Sequence, residues 1–392
     1  MSAAAIAGRR LLFVTYYGPP YVSGLTEHVR RIATGAAAAG AHVQLIVGRH
    51  DRGLPEREAI DGVHVRRLPV AARLDRGILL PALVPVVLRA ARRADAVVLV
   101  TPLAEAGTIA RLLAGRTPLA LSHVCDPQVP GGLLGRLLVA QADASARAAA
   151  RRAQILFGLS ADYARHSRVL GEFADRVVAI APPVQLEAFA PDPAAAPSRP
   201  AGTPLRVGCL GRLTHEKGLD RLIDAVALLE RPARLVLAGP SAGVAGGGEA
   251  ERLRARAARL GVELELPGAL AADERAPYLR ALDVFVLPSV SSLEAWGIVQ
   301  VEAMLCGTPV VASALPGVRE PLRLTGMGVL APAGDVAALA GAIDRVAADR
   351  ASYMRPRAEV IAALRLDETL DRHVAALAAL AASSGRQPDG TR

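Results

Sequence analysis

Short apolar runs alternate with segments of helical periodicity along almost the whole chain. An apolar run of four to seven residues bounded by turn residues is typical of a strand buried in a parallel sheet, and apolar spacings of three and four indicate the helices that cover it. The pattern predicts strands over residues 11–15, 43–47, 63–68, 96–101, 118–124, 155–160 and 177–182, then 205–210, 235–238, 284–287, 309–312 and 328–331. We therefore expect an α/β protein with parallel sheets.

The helical segments fall between these strands and group the chain into two domains. They cover residues 26–39, 103–113, 133–152 and 161–170, then 219–229, 250–260, 297–306 and 336–348. A proline-rich stretch over 191–204 indicates a linker between an N-terminal domain, 1–190, and a C-terminal domain, 205–365. A helix over 366–382 that can pack back on the first domain and a disordered tail over 383–392 complete the expectation. Two Rossmann-like, doubly wound domains of this kind face a central cleft, where ligands bind by default.

The composition narrows the class of protein. The 392 residues are 52% hydrophobic and 21% charged, which excludes a disordered chain. The three cysteines, Cys125, Cys209 and Cys306, are too few and too scattered for a disulfide framework or a zinc cluster. Because the first residues lack the apolar core of a signal peptide and no apolar run approaches the roughly 18 residues of a spanning helix, we expect a cytoplasmic protein.

The positive charge is confined to the first half of the chain. Residues 1–200 contain 24 Arg against 15 acidic residues, whereas residues 201–392 contain 22 basic and 22 acidic residues, so the net charge of +9 comes entirely from the first half. Arginines from Arg66 to Arg93 flank an apolar stretch at 77–88, a combination that suits an anionic membrane surface or a lipid-linked substrate. The alternative is a solvated basic face beside a buried helix. No nucleic-acid-binding motif accompanies the charge.

Two basic residues stand in the segment that follows the first strand of the second domain. In Gly-Arg-Leu-Thr-His-Glu-Lys-Gly, residues 211–218, Arg212 and Lys217 lie between a strand and a helix. A forked guanidinium and a compact ammonium can together bind a diphosphate. Lys217 is also the only lysine in the chain, which favours a specific need for an ammonium there.

A second segment, residues 291–302, also follows a predicted strand and opens a helix near Gly297. The unpaired backbone amides at a helix start bind anions. Glu294 precedes the helix and Glu302 lies within it. Because a carboxylate accepts several hydrogen bonds, each suits the vicinal hydroxyls of a sugar or ribose; the alternative for Glu302 is a solvent-facing position.

These residues, together with Cys306-Gly-Thr-Pro-Val-Val311 and Pro316-Gly-Val-Arg-Glu320, resemble the donor half of family 4 glycosyltransferases with the GT-B fold. The resemblance covers residues 205–350 continuously and is weaker over 11–48 and 118–190. It implies a set of donor contacts on matching positions: Arg212 and Lys217 to the diphosphate, Gly297 and Ile298 to phosphate through their amides, Glu294 to the transferred sugar, and Glu302 to the ribose.

Two weaker matches lie in the first domain. Gly24 opens a helix where the family usually carries a Gly-Gly pair near the donor, and Ser23 replaces the first glycine here. His123 lies three residues before Asp126, whereas related proteins often place a histidine two residues before such an aspartate. The resemblance implies that His123 contacts the sugar or the leaving group; the alternative is a hydrogen-bonded histidine in the core.

The resemblance implies retaining transfer of a sugar from a nucleoside diphosphate sugar, and the expected acceptor is a glycan or a lipid-linked molecule. No Asp-x-Asp sequence is present, so we expect no metal or other cofactor, with the positive charge supplied by Arg212, Lys217 and the helix start. The expected partners are the donor, the acceptor and an anionic membrane surface at the inner face of the cell membrane, and no nucleic acid.

The sequence gives less support to three other functions. A nicotinamide-dependent oxidoreductase would need Gly-x-Gly-x-x-Gly after the first strand, and the chain has none there. A glycosidase is disfavoured because Glu294 and Glu302 lie on one wall of the expected cleft. A degenerate homologue that binds nucleotide sugars only as a scaffold stays open.

Overall fold

The computed structural model describes residues 5–74, 77–129, 131–191, 202–241 and 248–387. The chain forms two compact units: Met1–Pro183 together with Glu368–Arg392, here unit 1, and Val184–Asp367, here unit 2. Most of the predicted linker and the end of the predicted tail lie outside the described residues, as do residues 242–247.

Unit 1 is a large, mostly parallel sheet covered by helices. Its elements before the crossover to unit 2 are β1 (Arg10–Val14), α1 (Gly24–Ala38), β2 (His42–Gly48), β3 (Arg57–Ile60), β4 (Val63–Leu68), β5 (Ala72–Leu74), β6 (Gly77–Leu79), α2 (Leu83–Ala91), β7 (Ala96–Thr101), α3 (Ala106–Leu113), β8 (Leu119–His123), α4 (Gly132–Ala150), β9 (Ile155–Gly158), α5 (Ala161–His166) and β10 (Val177–Ala179). The strand order is β10-β9-β8-β7-β1-β2-β4-β3, and only β3 runs antiparallel to its neighbour; β5 and β6 form a separate hairpin.

Unit 2 is also a sheet of strands that alternate with helices along the chain, and its sheet has six strands. Its elements are β11 (Leu205–Leu210), α6 (Leu219–Ala227), β12 (Ala233–Ala238), α7 (Ala250–Leu260), β13 (Glu263–Gly268), α8 (Arg275–Arg280), β14 (Val284–Leu287), α9 (Ile298–Leu305), β15 (Val310–Ser313), α10 (Arg319–Thr325), β16 (Gly328–Ala331), α11 (Val336–Ala348) and α12 (Arg357–Leu364). All neighbours pair in parallel, in the order β13-β12-β11-β14-β15-β16. This is the doubly wound order of a Rossmann fold.

The chain then returns to unit 1 as α13 (Thr369–Ala382), which packs against α1. The contact is close because α1 presents a glycine to it: a Cβ at Gly35 would lie 2.4 Å from a methyl carbon of Leu370. The last helix therefore belongs to the first unit, although it follows the second in sequence.

The apolar stretch at 77–88 is partly buried in unit 1. Ile78, Leu80, Leu83 and Val87 are at most 3% exposed and belong to its core, whereas Leu79 is 47% exposed. Among the arginines that lie near this stretch in sequence, Arg67 is buried, and its guanidinium lies 2.7 Å from the Glu58 carboxylate. Four of the apolar side chains are thus core residues, and contact of this stretch with an anionic membrane stays a prediction.

Candidate functional site

The order of the strands in unit 2 locates its default ligand site. From β11 the chain moves outward to β12 and β13, and then returns to place β14 on the other side of β11. The loops after β11 and β14 therefore diverge, which leaves a crevice at the carboxyl ends of these two strands. Arg212 and Lys217 follow β11, and Glu294 and Gly297 follow β14. The topology thus brings the two predicted motifs to the same place.

Glycines allow the backbone segments at this place to approach each other. Gly218 has φ 64°, and a Cβ there would lie 2.3 Å from the carbonyl oxygen of Pro288 after β14. Gly239, after β12, has φ 142°, and a Cβ there would lie 1.9 Å from the carbonyl oxygen of Gly211. Both contacts exclude any larger residue, so the loops can close around β11 only with glycine at these positions.

Lys217 and Glu294 meet directly across the two loops. The Lys217 Nζ lies 2.5 Å from the Glu294 Oε2, and the two side chains are 14% and 17% exposed. The hydroxyl of Ser289 donates to the same carboxylate oxygen at 3.2 Å. The Cys209 thiol is close enough to feel both charges, and burial raises its pKa to about 12, so it stays protonated. Lys217 and Glu294 thus form a largely buried ion pair.

Arg212 also contacts a carboxylate within its own loop. Its guanidinium Nη2 lies 3.4 Å from the Glu216 Oε1, and these side chains are 22% and 12% exposed. The backbone of Glu216 is fixed as well, because its carbonyl accepts from the amide of Val290 in the loop after β14 at 3.0 Å. Each of the two predicted diphosphate-binding cations is thus paired with a glutamate in the free protein.

The start of α9 is built so that only glycine fits. Gly297 has φ 76°, and a Cβ there would lie 2.4 Å from a methyl carbon of Leu287. The buried Gln300 supports this turn from below: its side-chain amide donates to the carbonyls of Trp296 at 2.5 Å and Val318 at 2.9 Å. The amides of Gly297 and Ile298 lie at the first turn of this helix, where backbone amides lack helical partners.

Glu302 lies in a different environment from Glu294. It is 1% exposed on α9, and its Oε2 accepts from the Arg275 Nη2 at 2.6 Å. The Arg275 guanidinium also lies 5.5 Å from the ring centroid of Phe189. Arg275 was not predicted as a site residue, since nothing in its sequence surroundings on α8 distinguishes it from the other arginines of the chain. A solvent-facing position for Glu302 is excluded by its burial.

In unit 1, His123 is enclosed in the core. Its side chain is completely buried, with Nδ1 2.8 Å from the Thr101 hydroxyl and Nε2 3.0 Å from the Asp126 Oδ1. Burial alone would raise the pKa of Asp126, but hydrogen bonds from His123, Ser167 and the Arg168 amide outweigh it and lower the pKa to about 2. Both imidazole nitrogens are therefore engaged internally. This geometry favours the alternative of a core histidine over a contact with the sugar, which stays a prediction.

Gly24 is the first residue of α1, and Ser23 is its N-cap. The Ser23 hydroxyl accepts from the Thr26 amide at 3.2 Å, and the Thr26 hydroxyl oxygen accepts from the Ser23 amide at 2.9 Å. This capping box explains why serine stands where a glycine was expected. A Cβ at Gly24 would meet no atom within 4 Å, so packing within the described chain does not require glycine there.

In the ranges that the structure describes, no group of three or more His, Cys, Asp or Glu side chains is placed to hold a metal ion. Among the helices so described, none combines the length and the apolar character needed to cross a membrane.

Family models match both units. The model of glycosyl transferases group 1 matches residues 194–362, and that of the glycosyl transferase 4-like domain matches residues 23–183. The first range contains Arg212, Lys217 and Glu294, and the second contains His123.

Individual relatives agree with these models. The chain is 36% identical over 196 residues to a D-inositol 3-phosphate glycosyltransferase of Streptomyces bingchenggensis, covering 46% of this chain and 42% of that protein. It is 37% identical over 166 residues to the 2-deoxystreptamine N-acetyl-D-glucosaminyltransferase of Streptomyces fradiae, covering 41% and 38%. The aligned part thus spans less than half the length of these relatives.

A solved structure extends the likeness to the whole fold. The Anabaena protein HepE, crystallised with UDP and glucose, superposes with a TM-score of 0.69 at 21% identity over 96% of this chain and 100% of that one. At this identity the likeness concerns the fold alone, and it confirms the expected GT-B architecture.

Proposed function

The chain belongs to the family 4 glycosyltransferases with the GT-B fold, and we propose on this basis that it transfers a sugar from a nucleoside diphosphate sugar to a hydroxyl of a polyhydroxylated acceptor. The observation that carries the proposal is the contact between Lys217 and Glu294 at the strand-order reversal of unit 2. It joins a cation suited to phosphate with a carboxylate suited to sugar hydroxyls, at the position where open α/β sheets bind ligands.

The charges of this site suit a diphosphate. In the free protein Arg212 and Lys217 are balanced by Glu216 and Glu294, so the four side chains sum to zero. A diphosphate brings negative charge that Arg212 and Lys217 can bind once they turn from these glutamates, and Glu294 then becomes an acceptor for the hydroxyls of the transferred sugar. The amides of Gly297 and Ile298 supply further donors at the start of α9.

Glu302 is proposed to bind the ribose, with Arg275 as the residue that holds its carboxylate. The 2.6 Å contact with Arg275 orients the Glu302 carboxylate and leaves acceptor capacity for ribose hydroxyls.

The proposed transfer is metal-independent and retains the anomeric configuration. The acceptor oxygen forms a bond to C1 of the sugar on the face from which the diphosphate leaves, while the bond between C1 and the phosphate oxygen breaks. The acceptor proton passes to the departing phosphate oxygen, so no side chain needs to form a covalent intermediate. Arg212, Lys217 and the α9 amides stabilise the charge that develops on the diphosphate.

The acceptor class is proposed from the relatives. One acts on D-inositol 3-phosphate and another on 2-deoxystreptamine, both six-membered carbocyclic polyols, which adds small ring polyols to the glycan and lipid-linked acceptors expected from sequence. Three compounds form a suitable polyol panel: myo-inositol, 2-deoxystreptamine and glucose.

The experiment measures donor binding and donor turnover separately. Melting temperature is followed with UDP, GDP and ADP and with their sugars, because a ligand that binds the native state raises it. Donor hydrolysis without acceptor is then measured for the protein and for Glu294→Gln. We expect one nucleotide to stabilise the fold most, and hydrolysis that Glu294→Gln reduces at least tenfold. Nucleotide binding without any turnover would favour the scaffold alternative, and no binding would contradict the proposal.

A further inference from the structure

The segment that begins unit 2 is fixed to that unit by two arginines. The Arg357 guanidinium donates to the carbonyls of Phe189 at 3.1 Å and Leu186 at 2.6 Å. The Arg280 guanidinium donates to the carbonyl of Ala190 at 2.9 Å. Arg280 is the last residue of α8 and Arg357 is the first residue of α12, so two separate helices hold the backbone around Phe189. The position of the Phe189 ring is therefore well defined.

The Phe189 ring faces a third arginine. Its side chain is buried, and the Arg275 Cζ lies over the ring, 5.5 Å from the centroid. A guanidinium at this distance is attracted to the face of an aromatic ring. Arg275 lies on α8 with 29% of its side chain exposed. Because a partly exposed arginine otherwise samples many rotamers, the ring restricts where this guanidinium can lie.

The same guanidinium contacts the carboxylate that is proposed to bind the ribose. The Arg275 Nη2 donates to the Glu302 Oε2 at 2.6 Å, and Glu302 is 1% exposed on α9. Phe189, Arg275 and Glu302 thus form a row of three side chains from three separate segments. The direction of the Glu302 carboxylate depends on the guanidinium, and the position of the guanidinium depends on the ring.

The simpler interpretation of Phe189 is an apolar anchor for its own segment. A buried phenylalanine contributes to stability through packing alone, whichever residue its ring faces. Phe189 also lies between the ranges that the two family models match, so neither model covers it. The two interpretations differ in one measurable respect, because an anchor affects stability and a positioning residue also affects the contact between Glu302 and its ligand.

We propose that Phe189 is a positioning residue for the donor nucleoside, and that its ring acts by holding Arg275 against Glu302. A carboxylate in a fixed direction can accept from both vicinal ribose hydroxyls at once, whereas one that rotates loses part of these bonds. The ring therefore increases the preference of the site for a ribonucleotide over a nucleotide without these hydroxyls. This inference rests on the proposed function, in which Glu302 binds the ribose.

The test measures this preference by titration calorimetry on the full chain. The probes are UDP, GDP and ADP, each with its 2′,3′-dideoxy analogue. The parent protein should bind its tightest ribonucleotide about tenfold or more tightly than the analogue, as expected for hydrogen bonds to a charged group. Phe189→Leu and Phe189→Met each remove the ring and keep an apolar side chain. They should lower the preference about threefold and leave the affinity for the analogue unchanged.

A double-mutant cycle tests whether Phe189 acts through Arg275. Arg275→Met removes the guanidinium at a partly exposed position and should lower the preference at least as much as Phe189→Leu does. The double variant Phe189→Leu, Arg275→Met should show the same preference as Arg275→Met alone, because the ring then has no guanidinium to hold. Losses that add in the double variant would overturn the inference.

The matched control is Tyr353→Leu, which removes another aromatic ring that packs against the core of unit 2. It should leave the preference unchanged, and melting temperatures without ligand show that each variant is folded. An unchanged preference in both Phe189 variants overturns the inference and leaves the proposed function standing. A parent protein that binds nucleotides without preferring the ribose overturns the inference and the role of Glu302. Failure of all three nucleotides to bind the parent protein contradicts the proposed function itself, and the inference with it.

Discussion

Two polar pairs follow or end strands in the two units, and they differ in solvent exposure. Lys217 and Glu294 of unit 2 are 14% and 17% exposed, whereas His123 and Asp126 of unit 1 are 0% and 4% exposed. In the proposed function the first pair exchanges its internal contact for a ligand. The second pair belongs to a network in which Asp126 also accepts from Ser167 at 2.7 Å and the Arg168 amide at 2.9 Å. The same kind of polar group near a strand end is thus proposed to bind a ligand in unit 2, whereas in unit 1 it holds buried segments together.

The largest expected effect is on catalysis, from Lys217→Ala. Removing the ammonium takes away a charge that stabilises the departing diphosphate, and we expect kcat/KM to fall about a thousandfold while the melting temperature changes little. The measurement is steady-state transfer or donor hydrolysis, together with thermal unfolding. Arg231→Ala is the control, since Arg231 pairs with Asp344 in the same unit at exposed positions, 40% and 39%. A variant with near-normal turnover would contradict the site.

Asp126→Ala tests the other half of the comparison. It removes a buried carboxylate with three hydrogen-bond donors around it, and leaving those donors unpaired should cost about 3 kcal/mol in the free energy of unfolding. Denaturant unfolding measures the loss. Donor binding by the remaining folded protein should be unchanged. An Asp126→Ala protein as stable as the parent would show that the network is not cohesive.

A second buried pair in unit 1 is expected to make the stability of the fold depend on pH. His28 on α1 and His373 on α13 face each other with ring centroids 5.6 Å apart. Burial lowers the pKa of His28 to about 3 and that of His373 to about 4, with the neighbouring cations Arg31 and Arg372 acting in the same direction. Both rings are therefore neutral in the folded protein at pH values where the unfolded chain is protonated.

The sign follows from these lowered values. Below pH 6.5, the ordinary pKa of histidine, the unfolded state binds protons at these two residues and the folded state does not. The free energy of unfolding therefore decreases as pH falls, down to about pH 3 to 4. At pH 4.5 His28 alone should cost about 3 kcal/mol relative to pH 7.5. The contribution of Asp126 is still present there, because its pKa is about 2 and its stabilisation is lost only as pH falls toward that value.

Urea unfolding of His28→Phe at the two pH values measures this contribution. The variant keeps a ring in the site and should lose that part of the acid sensitivity. His166→Gln, which removes a half-exposed histidine of unit 1, should retain it. Equal acid sensitivity of His28→Phe and the parent protein would exclude the buried pair as a cause.

The smallest expected effect is that of a chelator. If Arg212, Lys217 and the α9 amides supply the positive charge at the donor site, dialysis against EDTA should leave turnover unchanged within error. Activity that EDTA abolishes and Mg²⁺ or Mn²⁺ restores would contradict metal-independent transfer.

The central strands of both sheets were predictable from sequence, as were the edge strands β10 and β16, whereas the other two edge strands were not. The strand predicted at 96–101 coincides with β7, and that at 205–210 coincides with β11, because central parallel strands are buried on both faces and read as continuous apolar runs. The edge strands β3 and β13 were missed. In β13 the sequence Glu-Leu-Glu-Leu alternates, and its leucines are only half-buried, which is a weak signal for a short edge strand.

The residues of the candidate site also fall into those that the sequence predicted and those that it did not. Arg212, Lys217 and Glu294 could be predicted as site residues from sequence. Each lies in a glycine-containing segment between a strand and a helix, which is typical of a ligand-binding loop. Arg275 could not, since its role depends on Glu302, 27 residues further along the chain. The contact between Tyr16 and Glu105 spans 89 residues. No local pattern marks such pairs.

The amino-acid order alone determined the alternation of strands and helices, the two-domain organisation and which side chains have the chemistry to bind phosphate and hydroxyls. These are properties of short segments, set by apolar spacing and by glycines. Only the tertiary structure decided the surroundings of these groups: it buried His123, paired Glu302 with Arg275, and stacked Tyr17 on Tyr21. Exposure and pairing depend on residues that are distant in sequence, so they exist only once the chain has folded.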